Sequence, residues 1–117
     1  MNFEVGMYAR TKDGYVVKIT RHEHFWINNE EWDYITTDIG RDFDIDKISK
    51  ASYNIIDLIE VGDYVNGYPI YEILEYKDNT RAIVIADDNK SIIWQESSQD
   101  IKSIVTKEQF ESMSYKL

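Results

Sequence analysis

Cysteine is absent from this chain, and that omission removes disulfides, thiolate catalysis and Cys-ligated zinc at once. Proline occurs once and glycine five times, so no Pro-rich or Gly-rich joint divides the sequence. Bases are scarce: 13 Lys and Arg stand against 22 Asp and Glu, a formal net charge of −9. Phosphate backbones are bound by clustered Lys and Arg, and anionic membranes attract the same clusters. The charge balance therefore argues against nucleic acid and membrane surfaces and points to basic partners. No apolar run approaches the ~18 residues of a membrane span. The start "MNFEVGMYAR" lacks the basic and apolar segments of a signal peptide. A cytoplasmic protein is expected.

What is present suffices for folding. Apolar residues make up 43 % and aromatics 14 % of 117 residues. That length suits one ordinary domain or two very small ones, and modules of about sixty residues are marginal alone. Nine tyrosines and three tryptophans suggest pleated, half-buried surfaces.

One phrase occurs twice. "EVGMYARTKDGYVVKI" begins at Glu4 and "EVGDYVNGYPIYEI" at Glu60. Glu4, Val5, Gly6 and Tyr8 match Glu60, Val61, Gly62 and Tyr64; Asp13-Gly14-Tyr15 then matches Asn66-Gly67-Tyr68, and Ile19 falls on Ile73. "DIDKI" ending at Ile48 and "DIKSI" ending at Ile104 repeat the same separation of 56 residues. Equal spacing at both ends favours an internal duplication over chance.

Asp-Gly and Asn-Gly between apolar strands are strong hairpin signals, because such turns want positive φ. Strands are expected at "YVVKIT", "HFWIN", "WDYIT" and "FDI", and at "YPIYEILEY", "RAIVIA", "SIIWQ" and "DIKSI" after the turns "KDNT" and "DDNK". Pro69 belongs at a strand start or edge. Each half closes with a short helix. Ser52 or Asn54 caps the first, with Ile55, Leu58 and Ile59 inward. Thr106 and Gln109 form a capping box in the second, Val105 and Phe110 a hydrophobic staple, and Phe110, Met113 and Leu117 share a face. The expected fold is mainly β: two tandem duplicated SH3-like small β-barrels, residues 1–59 and 60–117, each ending in a short helix and packed as one rigid unit.

The segments "NIIDLIEVGDYVNGY" and "IKSIVTKEQFESM" resemble small proteins encoded by phages, prophages and mobile elements of low-GC Gram-positive bacteria. The resemblance covers about a quarter of the chain and carries no catalytic motif. It implies a mobile-element accessory protein, of a kind that includes acidic, anti-CRISPR-like counter-defence inhibitors.

His22 and His24 in "RHEHFW" lie on one face of a strand. Zinc needs a third and usually a fourth ligand; with no other His or Cys those would have to be acids, and no metal is expected. "DFDID" begins like a calcium loop, but Lys47 stands where the glycine belongs and Tyr53 where the closing glutamate belongs. Alternation instead turns Phe43 and Ile45 inward and Asp42, Asp44 and Asp46 outward. No nucleophile elbow or phosphate-cradling loop is present, so neither an enzyme nor a cofactor is expected.

The strongest candidate is acidic. Between Glu30 and Asp46, seven acids (Glu30, Glu31, Asp33, Asp38, Asp42, Asp44 and Asp46) face the single base Arg41, with Trp32 and Tyr34 interleaved. On one surface these carboxylates would imitate a nucleic acid and occupy the basic groove of a host protein, with the aromatics as anchors. A solvated face is the competing reading. The alternative function is an SH3-like adaptor gripping a basic or Pro-rich peptide in an aromatic cleft.

Overall fold

The structure is a computed structural model that describes residues 3–78, 81–87, 90–94 and 101–113. It is mainly β and forms two compact units, Met1–Tyr53 and Asn54–Leu117. No described helix is long and apolar enough to cross a membrane.

The repeated phrase is a turn. In both copies the amide three residues on bonds back to the glutamate carbonyl, Met7 N to Glu4 O and Asp63 N to Glu60 O, each at 3.1 Å. The third position needs positive φ, which is why glycine stands there: Gly6 has φ 94° and Gly62 φ 98°. Val5 and Val61 occupy the tips and are exposed.

The first unit contains β1 (Tyr8–Thr11), β2 (Val16–Ile27), β3 (Glu30–Thr37), β4 (Asp42–Asp44) and β5 (Ile48–Ser52), with a 3₁₀ turn over Ile45–Lys47. The antiparallel sheet runs β4-β3-β2-β1-β5. "YVVKIT" and "HFWIN", expected as two strands, are one strand of 12 residues. Its outer half and that of β3 form an arm closed by Asn28 and Asn29, both at positive φ (50° and 64°). Asparagine tolerates that region better than most residues. The core of this unit is Phe3, Ala9, Val17, Ile19, Ile35, Phe43 and Ile48.

The second unit contains β6 (Tyr64–Val65), β7 (Tyr68–Glu75), β8 (Arg81–Asp87), β9 (Lys90–Trp94), β10 (Ile104–Val105) and α1 (Lys107–Met113). Its sheet order is β10-β6-β7-β8-β9. Both sheets therefore place the unit's fifth strand beside its first, followed by the second, third and fourth. Neither is closed by a ladder: among the described residues no pairing joins β4 to β5 or β9 to β10. The expected barrel closure is thus not made by backbone pairing; in the first unit β4 has only three residues before the chain bends into its 3₁₀ turn.

Register refines the match between halves. Gly6 N bonds to Ile19 O and Ile19 N to Met7 O; Gly62 N bonds to Ile70 O and Ile70 N to Asp63 O. Ile19 is thus equivalent to Ile70, not Ile73, because the second hairpin is shorter. Its turn is Asn66-Gly67 alone, both at positive φ, whereas Lys12-Asp13-Gly14 needs it only at Gly14. At the other end Ile104 faces Val65 as Ala51 faces Ala9, so the "DIDKI" and "DIKSI" echo is out of register.

The helical turn expected to end the first half belongs to the second unit. It is a 3₁₀ turn, Ile55–Leu58, capped by the Asn54 side chain accepting from Ile56 N. Ile56 and Ile59, three residues apart, pack with Val65, Ile70, Ile83 and Ile85. A 3.6-residue period turns Ile55 inward; the three-residue period of the real turn buries Ile56 instead. Arg81 closes the C-terminal end of this turn: Nη1 donates to the carbonyls of Ile56 (3.2 Å) and Asp57 (2.5 Å), and Nη2 to that of Ile59 (3.1 Å).

Helix α1 has the expected capping box, with Gln109 N donating to Thr106 Oγ1 at 3.3 Å and Thr106 N to Gln109 Oε1 at 3.1 Å. Phe110 is half exposed and stacks on Tyr64, with ring centroids 5.0 Å apart. Leu117, Asn79, Thr80, Asp88, Asn89, Gln95 and Asp100, and the side chain of Met113, lie outside the described residues. Buried Asp63 accepts from Glu60 N (2.7 Å) and Lys107 N (2.9 Å), joining the opening turn to the helix. In the first unit the same place holds Met7, whose sulfur accepts from Glu4 N.

The exposed Tyr53 hydroxyl donates to the Glu4 carboxylate. That bond, aided by the charge of Glu4, raises the tyrosine above its ordinary value. The phenol is thus favoured in its neutral form by the fold. This contribution to stability is present below about pH 10, the ordinary tyrosine value, and is lost as pH rises through the higher folded value. The difference in phenolate absorbance between wild type and Tyr53→Phe should give a midpoint above that of free tyrosine, and Glu4→Gln should lower it. Equal midpoints with and without Glu4 would show that the bond contributes nothing.

A second expectation separates the two helical periods. Ile56→Ala should destabilise the protein by roughly 2–5 kcal/mol, as large-to-small core changes do, and Ile55→Ala by much less. Urea unfolding measures both, and equal losses would contradict the 3₁₀ geometry.

Candidate functional site

Pairing between β2 and β3 decides what the arm presents. His22 stands opposite Ile35, His24 opposite Asp33 and Trp26 opposite Glu31; Phe25 faces Trp32, Glu23 faces Tyr34 and Ile27 faces Glu30. Side chains alternate between faces. One face therefore carries His22, His24, Trp26, Glu31 and Asp33, continuous with buried Ile35. The other carries Phe25, Ile27, Glu30, Trp32 and Tyr34. Strand β4 sets Phe43 beside Ile35, and Asp42 and Asp44 beside Thr36 and Tyr34.

The nine predicted residues are accordingly not one surface. Glu30, Trp32, Tyr34, Asp42 and Asp44 share a face, while Glu31 and Asp33 lie on the opposite one. Asp46 belongs to the 3₁₀ turn after β4. Asp38 sits in the loop and accepts from Lys18 N at 2.9 Å, so its carboxylate fastens that loop to β2. The sequence showed an excess of acids and the outward turn of Asp42 and Asp44, but not that Glu31 and Asp33 lie on the other face.

The shared face is aromatic at its centre. Phe25 stacks on Trp32 (centroids 6.3 Å, planes 11° apart) and meets Tyr34 edge-on (6.2 Å, 82°). With Ile27, Asp42 and Asp44 these rings line a cleft of about 420 Å³. Trp32 is 45 % and Ile27 53 % exposed, so water meets much apolar surface. Sequence reasoning missed Phe25 and Ile27; the signal was the Asn28-Asn29 pair, which fixes the register that sets Phe25 against Trp32.

A second cleft, about 560 Å³, opens beside it and is lined by Glu30, Glu31, Trp32, Asp33, Asp44, Ile45 and Asp46. It runs along the edge of β3, because among the described residues β4 pairs only with Tyr34–Thr36. Acids of both faces meet at this edge. A third cleft, about 480 Å³, mixes signs, with Lys12, Arg41 and Lys47 among Asp13, Asp42 and Asp44. Arg41 lies over the rings of Tyr15 and Phe43, 4.8 and 4.9 Å from their centroids, so it is attracted to the core's edge as well as to the acids.

The histidines are paired with acids. His22 Nε2 lies 2.7 Å from Asp33 Oδ1, and His24 Nε2 lies 3.1 Å from Glu31 Oε1 and 4.0 Å from Asp33 Oδ2. On the other face Arg21 pairs with Glu23.

In comparison with known proteins, no family model, no curated protein and no solved structure matches this chain.

Core and surface alternate on a single strand here. Phe43→Ala should cost roughly 3–5 kcal/mol, since its ring is buried. Asp42→Lys with Asp44→Lys should shift stability by only about 0.5 kcal/mol, as exposed substitutions do. Thermal or urea unfolding of the two variants checks the assignment, and a large loss in the second would place those carboxylates in the fold's own support.

Proposed function

We propose that this is a non-enzymatic binding protein that grips a Lys/Arg-rich surface of a partner protein with the aromatic, acid-rimmed face of its β2–β3 arm. The observation that carries the proposal is the cleft in which Phe25, Ile27, Trp32 and Tyr34 lie beside Asp42 and Asp44. Aromatic rings with exposed faces supply contact area and cation–π attraction for Arg and Lys. The flanking carboxylates supply the charge that steers a cation in and accepts its hydrogen bonds. The acid-lined edge of β3 extends this field beyond the rings.

The wider proposal follows from the resemblance to mobile-element proteins. The partner is a host nucleic-acid enzyme, and the protein acts in the cytoplasm as a counter-defence inhibitor, anti-CRISPR-like, that fills a basic groove and excludes the nucleic acid. We further propose that the two units are duplicated SH3-like modules. The common strand order and the matching opening turns of Gly6 and Gly62 support that reading.

A second reading is favoured by the same aromatic cluster: an adaptor that takes a short basic or Pro-rich peptide in the cleft. Parallel captures from host lysate on wild type, Trp32→Ala and Asp42→Lys/Asp44→Lys protein decide between them. The groove reading expects a basic nucleic-acid-binding protein that both variants lose, that duplex DNA displaces and that rising salt weakens. Retention of the same proteins by all three baits would remove the arm from the function. Full competition by a short peptide from the captured protein would leave the adaptor reading standing instead.

A further inference from the structure

The face of the arm opposite the aromatic cleft carries a different chemistry. Two imidazoles and two carboxylates converge there, drawn from β2 at His22 and His24 and from β3 at Glu31 and Asp33. Alternation along each strand puts both members on the same side, and the register sets His24 against Asp33. The pairing places Asp33 between the imidazoles, with Oδ1 toward His22 and Oδ2 toward His24. The ligand atoms of His24, Glu31 and Asp33 all lie within 4.8 Å of one another. The two acids supply the ligands that His24 lacked in the sequence.

We propose that His24 Nε2, Glu31 Oε1 and Asp33 Oδ2 form a zinc site, with His22 as the positioning residue that holds Asp33 from its other oxygen. Three protein ligands with a fourth position open to solvent is a common zinc arrangement, and bonds of ~2.1 Å would bring tetrahedral ligands to about 3.4 Å of one another. The required contraction falls mainly on His24 and Glu31, which are about half exposed and free to move (side chains 51 % and 47 % exposed), while Asp33 is held at 15 %. Two carboxylates balance the charge of a divalent ion. Imidazole donors favour zinc and its transition-metal neighbours over calcium and magnesium. Ligating carboxylates are ordinarily oriented by a further hydrogen bond, which here comes from His22.

The site lies on the face opposite the aromatic cleft, although Glu31 and Asp33 also line the acidic edge of β3. Its consequence is mechanical: it adds a metal bridge between β2 and β3 outside the core, on the face opposite the Phe25–Trp32 stack.

Calorimetric titration of the metal-free full chain with zinc chloride tests the proposal. One equivalent should bind, and the melting temperature should rise with zinc, as it must when a ligand binds only the folded form. His24→Ala and Asp33→Asn should each weaken binding at least tenfold, His22→Asn should weaken it less, and the metal-free melting temperatures should report whether each variant folds. Calcium and magnesium should give no comparable binding. Should a variant not fold, cobalt added to wild type gives an independent reading: strong visible absorption marks tetrahedral coordination, and the weak spectrum of the hydrated ion counts against the site. Absence of one-equivalent binding, or undiminished binding in the folded His24→Ala variant, would overturn it.

Discussion

One extra residue in β2 determines what both faces of the arm display. Ile19 stands opposite Thr37, but Arg21 stands opposite Thr36, so Thr20 has no partner of its own and the strand slips by one. Without that bulge the inward parity of Val17 and Ile19 would continue to Arg21, Glu23 and Phe25. With it, His22, His24 and Trp26 fall on the core's side, and Phe25 turns out to meet Trp32 and Tyr34. A one-residue change of register exchanges the faces of everything beyond it, and bulges often re-aim side chains at binding sites. The Thr20 hydroxyl donates to Thr36 O at 3.1 Å, giving the slipped strand a side-chain bond across the irregularity. Phe3 meets His22 edge-on at 5.8 Å, which anchors the bulge's far side to the core.

The same bulge explains the limit of the sequence as a guide. The turns were legible because their chemistry is local: glycine at a positive-φ corner, Asn-Gly in a two-residue hairpin, Thr106 and Gln109 in a capping box. Asn54 as a cap was legible for the same reason. The turning of Phe25 toward Trp32 and Tyr34 was not, since it depends on a slip at Thr20 that no residue type announces. The expected strands "YVVKIT" and "HFWIN" are one, because a strand paired along its length needs no buried side chains to persist. The fifth strand, "ISKAS", was missed for the converse reason. Its pairing with β1 is a long-range fact that its own alternation does not declare.

Core placement shows the same division. Phe43 is buried as alternation suggests, whereas β8 is buried on both faces, from Ala82 through Ile85. Ile55 and Ile56 exchanged roles because a four-residue 3₁₀ turn and an α-helix look alike at that length, and the choice is made by the pocket between Val65, Ile70, Ile83 and Ile85. Arg81 completes that pocket from outside by donating to the carbonyls of Asp57 and Ile59 and sharing that of Ile56 with the turn's own Ile59 amide. Such a role is invisible in sequence, where an arginine at a strand start looks like ordinary solvent-facing charge.

The bare edge of β3 has one further consequence. Unpaired strand edges invite a second copy of the same chain, and natural sheets discourage this with charge. Two copies meeting along Glu30–Asp33 would each bring Glu30, Glu31 and Asp33, so the approaching rows repel. An incoming strand bearing lysine or arginine meets the opposite sign and free backbone groups together. The edge is therefore self-avoiding without being closed: it distinguishes sister molecules from basic strangers by charge alone, before any side chain has fitted a pocket.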